Sequence, residues 1–230
     1  MVVIQEGLSD WISSAEAADR LGLTSGRVRE LVASGALRAR RVGNRLVVNR
    51  GDVDARASGG AAVGRPFSPR RAWALILLAS GSVPPGLDAV TLSKLRHVLR
   101  GRDLWSMRPR LTSRAERREL RAHSSDLPRL EAEAGVLRTG ARSAAAAGLG
   151  LVAPDAPVEL YLGGSTAERL VTRYRLRPSD RPNVVFHVVP DDVQSWLSGP
   201  MAPRLAVALD LADDRNPRSQ EVAREALART

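Results

Sequence analysis

Cysteine is absent from this 230-residue chain. That excludes disulfide scaffolds, thiolate zinc sites, iron–sulfur clusters and thiol catalysis. Histidine is scarce. His97, His123 and His187 stand far apart, and none belongs to a paired metal-binding motif. No metal or cofactor is therefore expected. Apolar runs are short: Ala72–Ala79 is the longest and ends at Ser80-Gly81, well under the roughly 18 residues of a membrane helix. No basic stretch followed by a long apolar stretch opens the chain, so no secretory leader is expected. These absences predict a soluble, cytoplasmic protein with no membrane partner.

Lysine is nearly missing as well. Lys94 is the single one, so arginine supplies 34 of the 35 basic side chains. The codon bias of a GC-rich genome would give the same composition. Even so, the planar guanidinium suits phosphate and guanine contacts. The formal net charge of +10 is uneven. Residues 1–57 are net +2, residues 58–140 are net +8, and residues 141–230 are neutral. A neutral, apolar-rich final third fits protein contacts better than nucleic acid.

Residues 1–57 read as one domain, 58–70 as a Gly/Ala/Pro-rich linker, and 71–230 as a mixed helix–strand domain, giving an α+β fold class. In the first domain, Ser13 and Glu16 have capping-box spacing for a short helix carrying Ala17, Ala18 and Leu21 and ending at Gly22. Thr24 is the expected N-cap of a second helix with Val28, Leu31 and Val32 inward and Gly35 as its stop. Leu37–Val42 and Arg45–Val48 flank Gly43-Asn44 and read as a β-hairpin. Asn49 is placed to cap a last short helix.

A short helix, a tight turn and a second helix with Ser25, Gly26, Arg27, Arg29 and Glu30 outward fit a helix-turn-helix. Thr24 and Ser25 stand where free amides favour a phosphate. Arg27 and Arg29 can reach guanine edges. Arg40, Arg41, Asn44 and Arg45 stud a wing able to contact phosphates or the minor groove. These eight residues, Thr24 to Arg45, are the candidate DNA-binding set.

The stretch from Ile12 to Ala55 resembles the small winged helix-turn-helix of excisionase and MerR-type regulators. The resemblance rests on Gly35-Ala36-Leu37 followed by Arg41-Val42-Gly43-Asn44-Arg45, and it covers about 45 residues. It implies double-stranded operator DNA as partner. Gly26 and Glu30 depart from it, at groove-facing positions that are often basic or polar in that family. No long dimerisation helix follows, and the oligomeric state stays open.

Beyond the linker, Ser68-Pro69 should open a helix with Trp73, Ile76, Leu77 and Ser80 on one stripe. A further helix should carry Leu92, Leu95, Val98 and Leu99. Ser113 and Glu116 have capping-box spacing and predict a helix over 114–121, which would place Arg114, Arg117, Arg118 and Arg121 on one face. Residues 126–148 hold the apolar Leu127, Leu130 and Val136-Leu137, followed by an Ala-rich turn of helix expected at Ser143–Ala147. Strands are expected at Val158–Leu162 and Val184–Val189. Helices are expected after a Ser165/Glu168 capping box and from Asn216-Pro217. Leu205–Leu211 reads as a strand or a buried helix, with the spacing of Leu205, Ala208, Leu209 and Ala212 favouring helix.

No catalytic constellation emerges, so no enzymatic activity is expected. Gly163-Gly164-Ser165-Thr166 lacks the lysine and glycine spacing of a phosphate loop and reads as a strand–helix turn. Asp191-Asp192 and Asp213-Asp214 read as solvated loop acids. His187 reads as a packed or hydrogen-bonded histidine, and Trp73, Trp105 and Trp196 as core or interface anchors. Residues 70–230 resemble, more weakly, the C-terminal region of AbiEi-type antitoxins of type IV toxin–antitoxin systems. The resemblance runs through Tyr174-Arg175-Leu176-Arg177-Pro178, Asn183-Val184-Val185 and Ala208-Leu209-Asp210-Leu211. It implies an autoregulating operon repressor whose C-terminal domain neutralises a protein toxin. The leading expectation is thus a non-enzymatic, double-stranded-DNA-binding transcriptional regulator, a repressor or antitoxin. The alternatives are a toxin-neutralising interaction module in which DNA binding is secondary, and a nucleic-acid-processing enzyme tethered by a winged helix.

Overall fold

In the computed structural model the chain divides into two compact units, Met1–Gly64 and Arg65–Thr230. The structure describes residues 11–33, 36–43, 45–58 and 65–228. Gly35, Asn44, the Arg45 side chain and residues 59–64 of the expected linker lie outside the described residues. The fold is α+β throughout.

The first unit runs β1 (Trp11–Ser13), α1 (Ser14–Leu21), α2 (Ser25–Ala33), β2 (Ala39–Val42), β3 (Arg45–Asn49) and α3 (Arg50–Ser58). Its three strands form an antiparallel sheet in the order β1-β3-β2. Ile12, Ala17, Ala18, Leu21, Val28, Leu31, Leu37, Val48 and Val53 close one apolar core. β1 was not legible from three residues. It exists because β3 exposes a second ladder edge, which Trp11–Ser13 fills in register Ile12 to Val48.

The second unit begins with α4 (Pro69–Ala79), α5 (Ala89–Leu99) and the short α6 (Leu104–Met107). Next come β4 (Glu116–Arg121), α7 (Leu127–Glu131), β5 (Leu137–Thr139), α8 (Gly140–Ser143), β6 (Val158–Gly163) and α9 (Gly164–Arg173). The unit closes with β7 (Arg177–Pro178), β8 (Val184–Val189), α10 (Asp191–Gln194), α11 (Arg204–Asp213) and α12 (Pro217–Leu227). The sheet order is β5-β6-β8-β4-β7, with β6 and β8 parallel and the other pairs antiparallel. Every residue of β8 is buried, as expected for a central strand covered on both faces. Helices α4 and α11 pack into the larger core, where Ala72–Leu77 and Leu205–Ala212 are buried throughout.

Four expectations are corrected. Residues 116–121 form a strand rather than part of an arginine-rich helix. β8 needs a ladder partner on each edge; β6 fills one and β4 the other, and this pairing overrides the local capping signal. Arg114, Arg117, Arg118 and Arg121 therefore do not share a helix face. Arg114 is buried, Arg117 and Arg118 alternate across β4 and pair with glutamates, and Arg121 donates to the Arg181 carbonyl. Second, α9 starts on Gly163 with no side-chain cap, while Glu168 pairs with Arg118 instead of closing a box with Ser165. Third, the expected turn of helix at Ser143–Ala147 is displaced to Gly140–Ser143, directly after a strand at Leu137–Thr139 that the sequence pattern does not announce. Fourth, Asp213 is the last residue of α11 and pairs with Arg114 at 2.7 Å, and Asp191 and Asp192 open α10.

The centre of the second unit is polar. The Arg114 guanidinium, 4% exposed, reaches the fully buried Asp210 carboxylate at 2.7 Å. It also donates to Tyr161 Oη at 3.0 Å. Tyr161 donates to Asp210 at 2.7 Å, and Thr139 Oγ1 donates to the other Asp210 oxygen. Trp73 Nε1 holds the Arg114 carbonyl at 3.0 Å. Burial pushes the Asp210 carboxyl up, but the charges of His187 and Arg114, with the hydrogen bonds from Arg114 and Thr139, outweigh it and hold it below its ordinary value. A lowered folded value means that the stabilisation is complete above the unfolded value of about 3.9 and is lost as pH falls through the folded one.

Asp210→Ala is expected to cost about 3–5 kcal/mol in urea unfolding, because it leaves the buried Arg114 guanidinium with only the solvent-exposed Asp213 as its acid partner and Tyr161 and Thr139 without their acceptor. The Arg114→Met/Asp210→Leu pair should cost less than that single change. The wild-type stability should also fall on acidification below about pH 4 by a component that Asp210→Ala lacks.

Candidate nucleic-acid interface

The first unit is built on a sharp helix–turn–helix. Ser13 Oγ accepts from the Glu16 amide at 3.1 Å and caps α1. The Glu16 carboxylate turns to Arg20 at 3.0 Å, so only half of the expected capping box forms. Gly22, at φ 61°, ends α1 in the left-handed region, which glycine enters without strain. Two residues later Thr24 Oγ1 accepts from the Arg27 amide at 3.3 Å and starts α2. The amides of Ser25 and Gly26 sit at the first helical positions, where no intrahelical acceptor exists.

The outward side of α2 carries Gly26, Arg27, Arg29, Glu30 and Ala33, all exposed. Ser25 is half-buried. Arg27 is not free: its Nη1 lies 2.5 Å from Glu30 Oε2, one turn on. The pair is solvent-exposed and weak in isolation, about 0.3–0.5 kcal/mol. Arg29 has no ion pair among the described residues.

The wing is the β2–β3 hairpin. Its register pairs Arg40 with Val47, Arg41 with Leu46 and Val42 with Arg45. Side chains alternate along a strand, so Arg40 and Arg41 point to opposite sheet faces. Arg41 shares the face of Ala39 and Val48, against which the helices pack, and it is exposed. Arg40 lies on the other face, with its guanidinium 4.4 Å from the centre of the Trp11 ring. The wing arginines therefore do not form one bed. The candidates Thr24, Ser25, Arg27, Arg29 and Arg41 lie along α2 and on the helix-bearing side of the wing, whereas Arg40 is engaged behind it.

Arg38 had no local signal. Its guanidinium grips Asp52 at 2.8 and 3.0 Å, its amide donates to the same carboxylate at 2.9 Å, and Asn49 caps α3 through the Asp52 amide at 3.1 Å. The hydrogen bond from Arg38 holds the Asp52 carboxyl below its ordinary range against the opposing effect of desolvation. This clasp fixes the root of the hairpin to α3, and only the fold brings residues 38 and 52 together. On the other side Arg20 bridges Glu16 and Asp54 and ties α1 to α3.

Among the described residues no cluster of three or more His, Asp or Glu could hold a metal, and no helix is long and apolar enough to cross a membrane. In the second unit His187 Nε2 lies 2.8 Å from Glu159 Oε2 and its ring packs against Tyr161 at 4.8 Å, a packed and hydrogen-bonded histidine. Trp105 and Trp196 are half-buried against the core, under Arg108 and Arg70 respectively.

Replacing the cap tests this local architecture. Thr24→Ala should lower the stability of the first unit by about 0.5–2 kcal/mol, and Thr24→Asp should keep it, in thermal unfolding followed by circular dichroism.

No curated protein and no solved structure matches the chain. Residues 11–60 match the model of the helix-turn-helix domain family, and that match supports a DNA-binding role for the unit whose turn, second helix and hairpin are described above.

Proposed function

We propose that this chain is a double-stranded-DNA-binding transcriptional regulator that represses its own operon. The observation that carries this reading is the coincidence of the helix-turn-helix match over residues 11–60 with a fully exposed outer face on α2 and an exposed arginine on the helix-bearing side of the wing. α2 is the element that enters the major groove, and the hairpin grips the flanking backbone. Thr24 and Ser25 present the helix start to a phosphate, with Arg29, Arg41, Asn44 and Arg45 as further backbone contacts. Arg40 joins them only by leaving Trp11.

The second unit, in this reading, binds protein. The resemblance of its sequence to AbiEi-type antitoxins supports a toxin as that protein. Arg117 and Arg118 of β4, which a helix would have turned toward DNA, are matched by Glu116, Glu119, Glu159 and Glu168, and Arg121 is spent on the Arg181 carbonyl. That leaves the first unit to supply the electrostatic grip. Co-purification of the full chain with the product of the adjacent gene tests the toxin assignment; a chain that purifies alone from the co-expressing cell refutes it.

DNA binding is tested by titrating a 30-bp duplex at several salt concentrations. With about five phosphates neutralised, log K against log salt should have a slope of about −4 to −5. Arg41→Ala should weaken specific and random duplexes alike and lower the slope by about one. A salt-independent signal, or no retention of any duplex at low salt, overturns the proposal.

A further inference from the structure

The recognition helix carries an acid where DNA-binding helices need attraction. Its placement can be read from the helix itself. Successive residues turn by about 100°. The inner face of α2 is set by the buried Val28 and Leu31 with the half-buried Val32. The line opposite that face holds Gly26, Glu30 and Ala33. Arg27 and Arg29 fall on the two flanks. Of the three residues on the outermost line, two are too small to reach anything, and Glu30 is the only one with a polar side chain.

Gly26 sharpens the point. Among the described residues nothing demands a glycine there. Its backbone is not in the left-handed region, and an added Cβ would meet only Thr24 Oγ1 at an ordinary 3.7 Å. A glycine inside a helix weakens it relative to alanine. Bareness at this position relieves no close contact among the described residues, and its use is read as outward-facing. It lets the helix backbone come close to a partner surface.

We propose that Glu30 is the specificity-determining residue of this helix, accepting a hydrogen bond from the exocyclic amine of cytosine in the major groove. This rests on the DNA-binding reading above. A carboxylate is an acceptor only, and the cytosine N4 amine is the matching donor on a base edge. Gly26 and Ala33 let the helix sink until Glu30 reaches the groove floor. Arg27 is the positioning residue. Its guanidinium, 2.5 Å from Glu30, holds the carboxylate in place and offsets its repulsion by the phosphates on either side. The flanking arginines face the strands, and the central acid reads between them. The arrangement gives up general affinity and gains discrimination, because an unpaired carboxylate in the groove penalises every sequence that lacks the amine.

The test is selection from a randomised 20-bp duplex pool with the full chain, run in parallel for wild type, Glu30→Gln and Glu30→Ala. Glu30 is exposed, and its ion pair is on the surface, so these variants should fold, as circular dichroism will show. The wild-type motif should contain a cytosine favoured by roughly five- to 150-fold over other bases at one position. Glu30→Gln should move that preference toward adenine, whose N6 and N7 suit a carboxamide. Glu30→Ala should erase it there alone, while a random 30-bp duplex is bound severalfold more tightly. Gly26→Leu should fold and lose at least tenfold in affinity for the selected duplex. Base preferences unchanged in Glu30→Ala, or a Glu30-sensitive position that is not cytosine, overturn the inference while leaving DNA binding intact. Gly26→Leu binding as tightly as wild type overturns the close approach. A wild type that retains no duplex at low salt overturns the DNA-binding reading itself.

Discussion

The second unit depends on one buried charge contact, Arg114 to Asp210. Arg114 leaves a short turn just before β4, Asp210 sits in the middle of α11, and Tyr161 and Thr139 join them from β6 and β5. Elements far apart in the chain thus converge on one carboxylate. Apolar packing alone would tolerate sliding of α11, whose buried run Leu205–Leu209 is smooth and alanine-rich. A bonded carboxylate tolerates almost none, since each partner lost leaves a polar group in a dry core. The contact adds little net energy over an apolar substitute and fixes the registry of helix against sheet.

The first unit solves a different problem. It has too few residues for a large core, and among the described residues nine buried apolar side chains close it. Polar clasps do the rest. Arg38 ties the hairpin to α3 through Asp52, and Arg20 ties α1 to α3 through Asp54. With the arginines at 20 and 38 spent on internal fastening, Arg27 paired with Glu30 and Arg40 laid over Trp11, Arg29 and Arg41 are the exposed arginines of α2 and β2 without an ion pair among the described residues. The division shows why a count of positive charges misleads: of the arginines in this unit, structure assigns some to holding the fold and some to its outer face.

Much of this architecture was legible, and for physical reasons. Ser13, Gly22, Thr24 and Asn49 mark helix ends because caps and left-handed turns are local chemistry. Val158–Gly163, Val184–Val189 and the helix after Pro203 were readable from their apolar runs. What failed was non-local. Arg-Ala-Glu-Arg-Arg-Glu-Leu-Arg over 114–121 follows a capping-box spacing and repeats arginine at helical intervals, and β8 takes 116–121 as a strand because a buried ladder edge outweighs a cap. β1 and the Arg38–Asp52 clasp were missed for the same reason. In the candidate interface the residue types were readable, but their directions were not. Only the register separates Arg40 from Arg41, and only the helix wheel closed by a real core sets Glu30 apart from Arg27.

The order of the small sheet has one more consequence. β3 is paired on both sides, so among the described residues β2 lies at a rim of the sheet, with its outer row of backbone donors and acceptors outside the ladder. Such a rim invites a second chain to stack alongside and nucleate assembly. Two consecutive guanidinium groups on that rim, at 40 and 41, sit one above and one below the sheet plane, so a like-charged copy arriving from either side is repelled. The charges that the proposed function turns toward a polyanion also oppose pairing of this rim with a second copy.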